Sequence, residues 1–118
     1  MGAFVNPDAR ETIADDNGNS VTIRAKMSIA NRATVAADTR RFENTRSGQD
    51  VGLLAANIVE WEGPLFQDDF GKPVPCTRRN IFRLDPTNAD WLHLQNKVLK
   101  RIDELNIKPT IEENGDPN

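Results

Sequence analysis

The sequence predicts an α+β domain: an N-terminal β-hairpin, three to four helices, and a turn-rich aromatic segment between the second and third helices. Three observations lead there. Residues 21–27 alternate, with Val21, Ile23, Ala25 and Met27 on one face and Thr22, Arg24 and Lys26 on the other, which is the period of a half-buried strand. Apolar residues recur at helical spacing in two places, Val51, Leu54, Ala55, Ile58 and Val59, then Trp91, Leu94, Val98, Ile102 and Leu105. Between these stripes, Trp61–Cys76 is interrupted by Gly63-Pro64, Gly71-Lys72-Pro73 and Pro75, so neither a helix nor a central strand runs through it. That segment still carries Trp61, Leu65, Phe66, Phe70 and Val74, more apolar surface than a solvated linker needs.

In chain order, residues 1–9 read as irregular, and Glu11–Ala14 and Val21–Met27 form the hairpin. Asn17-Gly18 suits a type I′ turn, both of whose central positions need φ > 0. Ser28 caps a helix to about Arg41, with Ile29, Ala33, Ala36 and Ala37 as its weak apolar stripe. Ser47-x-x-Asp50 resembles a capping box for a second helix, which the Val51–Val59 periodicity carries to a stop at Gly63-Pro64. Thr77 caps a short helix to about Leu84, and Asp85-Pro86 sets a capping carboxylate before a proline at the first helical position. The final helix runs to about Asn106, with Lys97, Lys100 and Arg101 complementing the dipole in its C-terminal half. Residues 1–106 thus form one domain, and 107–118 an acidic tail rich in breakers that is expected to be disordered.

With 18 acidic and 15 basic side chains the net charge is −3, which argues against a dedicated nucleic-acid binder. A single cysteine makes no internal disulfide, so the chain is not a stapled secreted scaffold. The N-terminus lacks a basic and then apolar leader, and no apolar run is long enough to span a membrane. A soluble protein of a reducing compartment is expected.

No residue set carries obvious chemistry. Asp15-x-Asn17-x-Asn19 imitates the start of a calcium loop, but Ser20 stands where the sharp-turn glycine belongs and Lys26 where the bidentate glutamate belongs. Cys76 and His93 are the sole cysteine and histidine, which fit a semi-buried thiol and a surface histidine better than a catalytic pair or a zinc site. Asp68 and Asp69, near Glu60 and Glu62, read as turn formers rather than as an acid–base cluster. The clusters Arg40-Arg41…Arg46 and Arg78-Arg79…Arg83 are the best case for phosphate contact, with a solvated or protein-contacting face as the alternative. No catalytic, cofactor or metal residues are assigned, and no enzyme activity is expected.

The order of features nevertheless resembles a known family. A strand of Val-Thr-Ile-Arg type, Ala/Arg-containing helical sequence, Asn57-Ile-Val-Glu-Trp61, then Asp69-Phe-Gly-Lys-Pro-Val-Pro-Cys-Thr77 and Arg78-Arg-Asn-Ile81 are similar to the tail assembly chaperones of long-tailed bacteriophages. The likeness spans about residues 10–106, with its specific content in 57–84, and Phe70 departs from it by interrupting an Asp-Gly pair. The resemblance implies a non-enzymatic protein, without cofactor or membrane contact, that binds tape-measure and tail-tube components in the infected bacterial cytoplasm. It also implies a family that often includes a longer, frameshifted form. A structural virion protein of the tail or head-to-tail connector is the alternative, and a small nucleic-acid-binding regulator a second one; self-association is open. Phe66, Phe70, Val74, Arg78 and Arg79 are the candidate partner-binding residues, with Trp61 and Phe66 expected to cover the Val51–Val59 helix and Phe70 to be exposed.

Overall fold

The computed structural model describes residues 2–109, so the expected tail falls, beyond Pro109, outside the described residues. The fold is α+β. Strands β1 (Arg10–Ala14) and β2 (Ser20–Arg24) are followed by helices α1 (Ile29–Arg41) and α2 (Arg46–Asn57). Strand β3 (Ile58–Glu62), a 3-10 turn (Pro64–Phe66) and helices α3 (Arg78–Ile81) and α4 (Ala89–Leu105) complete it. The sheet is antiparallel with order β1-β2-β3.

The hairpin forms, in the register Arg10↔Arg24 and Ile13↔Val21, with Val21 and Ile23 fully buried, but its second strand ends at Arg24 rather than Met27. Its turn is not type I′. Gly18 alone in the turn has positive φ, and Asp15 and Asn19 close a three-residue loop. The reason is the Asp15 carboxylate, whose Oδ1 accepts the N–H groups of Asn17 and Asn19 while Oδ2 accepts the Asn19 amide. The Asn19 side-chain bond, with the backbone N–H groups, holds the Asp15 pKa below the ordinary aspartate value.

The largest departure from expectation is β3. The Val51–Val59 stripe continues a helical period, yet the helix stops at Asn57 and Ile58–Glu62 pairs with β2, Val21 opposite Trp61. Without this strand β2 would be left with a row of unpaired backbone groups. Ile58 and Val59 are also β-branched and Trp61 aromatic, and the ladder carries a register shift that leaves Val59 without a partner between the Thr22↔Glu60 and Ile23↔Ile58 pairs. The end of α2 is fixed from outside: Arg24 Nε donates to Ala56 O at 2.9 Å, and the buried Asn57 amide donates to Leu53 O and lies against Met27 Sδ.

Helix α1 has the expected Ser28 cap, in which Ser28 Oγ accepts the Asn31 N–H and Asn31 Oδ1 accepts the Ser28 N–H. Its expected stripe is on the wrong side: Ile29 is 90% exposed and Ala33, Ala36 and Ala37 face outward, whereas Val35 and Asp38 are buried. The cause lies on α2. Gly48 and Gly52 bring the two helices so close that a Cβ on Gly52 would stand 2.9 Å from Val35 O, and one on Gly48 2.9 Å from Phe42 O. The α2 cap is Thr45, whose Oγ1 accepts the Gly48 N–H, rather than Ser47.

Thr77 caps α3 as expected, but the helix is a single turn ending at Ile81. Asp85-Pro86 does not open α4. Asp85 Oδ1 is taken by the Thr87 N–H and hydroxyl, and Asn88 caps the helix by accepting the Trp91 N–H. The α4 stripe holds, with Trp91, Leu94, Val98 and Ile102 buried. This helix lies against β1, β2 and α2, and α1 lies on α2. Two ties fix its C-terminal half. Arg101 donates twice to the Glu11 carboxylate at 2.8 and 2.9 Å, and Asn106 accepts from the Met27 N–H and from Arg32.

Candidate functional site

The Trp61–Cys76 segment folds back on β3 as a small aromatic platform. Gly63, at φ 116, breaks the strand, and Pro64–Phe66 turns the chain so that the Phe66 ring stacks on Trp61, with centres 4.6 Å apart and planes within 5°. Phe66 meets Trp91 of α4 edge-on at 5.9 Å. Trp61 is half-buried in β3, not at the end of a helix, and its ring lies on Phe66 of the segment, where the sequence predicts cover of the Val51–Val59 helix. Its indole N–H donates to Val74 O at 2.6 Å and the Val74 N–H donates to Phe66 O at 2.8 Å, which joins the two ends of the segment.

Beyond those bonds the chain makes a tight loop. Gln67 pairs with Pro73, and Asp68 Oδ1 accepts the N–H groups of Phe70 and Lys72 at 2.8 and 3.0 Å. Asp68 is thus the turn former that its sequence context predicts. Phe70 sits at the tip, 88% exposed, on a loop held by the Asp68 bonds. Beneath the platform a cleft of about 200 Å³ is walled by Trp61, Phe66, Val74, Leu84 and Trp91, with Arg83 and Asp85 at its rim.

The candidate partner-binding residues divide. Phe66 is buried, at 3% exposure, so it supports the loop and offers no surface to a partner. Val74 is half-buried, while Phe70 and Arg79 are exposed. Arg78 is occupied: its guanidinium is ion-paired with the buried Asp38 of α1 and lies 4.8 Å from the Phe82 ring centre. Arg41 reaches the same ring at 5.9 Å, and Phe42 contacts Phe82 at 5.7 Å. The structure therefore brings together the two arginine clusters that lie far apart in the chain. The signal was present, since Arg41-Phe42 and Arg78…Phe82 each place an aromatic ring beside arginine, but nothing in a single sequence pairs the two. Asp38 Oδ2 and Asn57 Oδ1 are buried without a protein hydrogen-bond partner.

Cys76 is half-buried, and His93 is exposed on α4. Burial, with the Glu60 charge as a second cause, pushes the Cys76 thiol up to about 11. At pH 8 it is expected to react with an aromatic disulfide reagent roughly a hundredfold more slowly than in the guanidinium-unfolded chain, because the thiolate is the reactive form. Rate measurements from pH 7 to 11 check this, and the folded rate should climb through that whole range. Among the described residues no group of three or more His, Cys, Asp or Glu side chains is placed to hold a metal ion. No helix among them is long and apolar enough to cross a membrane.

Comparison with protein families, with curated proteins and with solved structures finds no match to this chain.

Proposed function

We propose that this chain is a protein-binding assembly factor, acting as a tail assembly chaperone in the cytoplasm of an infected bacterium and holding tape-measure or tail-tube components. The observation that carries the reading is Phe70: a large apolar side chain, 88% exposed, at the tip of a loop preorganised by Asp68. A solvent-facing phenylalanine contributes nothing to the fold, whereas a rigid apolar knob is the usual anchor of a protein interface and loses little entropy when it binds. The motif content that resembles the chaperone family, residues 57–84, runs through β3, this loop and α3 and supports the same reading.

Co-expression with the long helical tail protein of the same genome tests it. The two should copurify, and Phe70→Asp should abolish copurification. Phe70→Ala should change stability by less than about 0.5 kcal/mol, as for surface substitutions generally. Failure of the wild-type chain to retain any tail protein would sink the reading. Mass spectrometry of purified particles separates it from a structural virion role, which requires a stoichiometric amount in the finished tail.

A further inference from the structure

A second, larger groove of about 540 Å³ runs along α1 where it lies on α2. Met27, Val35 and Leu53 form its apolar floor, Ala36 leaves its middle open, and Arg32 and Arg40 stand towards its two ends. No carboxylate lines it, although the chain as a whole is acidic at −3. Arg40 has no ion pair among the described residues, and the Arg32 guanidinium donates to a neutral carbonyl, Asn106 O. Neither charge is neutralised by a carboxylate among the described residues, and the Arg32 guanidinium has further N–H groups beyond the one that holds Asn106 O.

The spacing of the two arginines defines what fits. They are eight residues apart on one helix, which is about 12 Å along its axis. A partner helix matches that distance with carboxylates seven or eight residues apart, which fall on one face, and with an apolar residue four positions after the first. That apolar residue would sit above Ala36, against Val35 and Leu53. A nucleic-acid strand fits less well, because its evenly spaced phosphates would lie over the apolar floor between only two cations. We propose that the α1–α2 groove docks a helix of the client carrying acidic, apolar and acidic residues at i, i+4 and i+7 or i+8. The proposal rests on the protein-binding reading above and names the surface and the client pattern.

The test uses the full chain and a side-chain-stapled helical peptide with Glu at i, Leu at i+4 and Glu at i+8, followed by fluorescence anisotropy. Binding is expected. Arg40→Glu should weaken it by more than about tenfold, since one attractive contact becomes repulsive. A peptide with Lys at i+8 should recover binding to the Arg40→Glu chain. Equal binding of a peptide with its glutamates moved to the opposite face would overturn the proposal, and so would indifference to Arg40→Glu. Arg40 is exposed and outside the core, so an unchanged thermal melt will separate lost docking from lost folding. A benzophenone side chain at position 36 identifies the occupant. Cross-linking to the peptide supports the proposal, whereas persistent cross-links to residues 110–118, to a second copy or to an added oligonucleotide assign the groove elsewhere and refute it. If tail protein copurifies with the Arg40→Glu chain as with wild type, the groove is misassigned and the protein-binding reading stands. If the wild-type chain retains no tail protein, that reading has failed first.

Discussion

Trp91→Ala is expected to lower the unfolding free energy by about 3–5 kcal/mol, the range for deleting a buried aromatic side chain. Trp91 is 3% exposed at the first turn of α4, where Phe66 meets it edge-on at 5.9 Å. Its removal takes away the wall between α4 and the platform and the edge-on contact with Phe66. A denaturant melt should show a clear drop in midpoint with little change in slope, because the surface exposed on unfolding is nearly the same. Trp61 gives the contrast. It is half-buried, so Trp61→Ala should cost less than Trp91→Ala, and the loss should be concentrated in the loop through the missing indole bond to Val74 O. A larger loss at Trp61 than at Trp91 would show that the platform, and not α4, is the centre of the core.

Gly63→Ala is expected to cost about 2–5 kcal/mol, combining backbone strain with overpacking. Gly63 holds φ 116, a conformation that side chains disfavour, and an added Cβ would stand 2.5 Å from Gly18 O and 2.6 Å from Asn19 Oδ1. Neither neighbour can move cheaply. Gly18 O is backbone, and Asn19 is buried, with its Oδ1 accepting the Leu65 N–H at 2.9 Å and its amide donating to Asp15. The substitution therefore pushes apart the hairpin turn and the start of the platform. Hydrogen exchange should show both the Asp15–Asn19 turn and the Pro64–Phe66 turn losing protection together. Gly71→Ala is the control: it shares a positive φ of 78, but a Cβ there meets nothing within 4 Å, so the strain remains and the clash is absent.

Much of the local structure was legible because it depends on near neighbours in the chain. The alternation of Val21 and Ile23, the Ser28 and Thr77 caps, the α4 stripe and the turn-forming Asp68 all follow from interactions within a few residues. The elements that depart from expectation share the opposite property. Ile58–Glu62 suits a helix and a strand equally in its spacing, and the pairing of Val21 with Trp61 across the sheet decides between them. The outward Ala33, Ala36 and Ala37 matched an apolar stripe by composition, while the real contact face of α1 is selected by the close approach at Gly48 and Gly52. Those two glycines, one helical turn apart, are the sequence signal for close helix packing.

The candidate site divides in the same way. Phe70 at an exposed turn was readable from its neighbours, since Asp68 and Gly71 shape the loop locally. The burial of Phe66 was not, because its stacking partner Trp61 is tied to Val74 across the segment and its edge partner Trp91 comes from α4. Nor was the meeting of Arg41 and Arg78 over Phe82, or the groove between Arg32 and Arg40, since each requires α1 to be set against α2 and α3.

By itself the sequence determined the fold class, the hairpin, the caps of α1 and α3, the buried face of α4 and the exposed aromatic loop, because backbone preference and side-chain period act over one or two turns. Tertiary structure alone decided where α2 gives way to β3, which face of α1 is buried, and which arginines are paired or free. These depend on contacts between residues tens of positions apart, and local spacing carries no information about which partner such a contact will find.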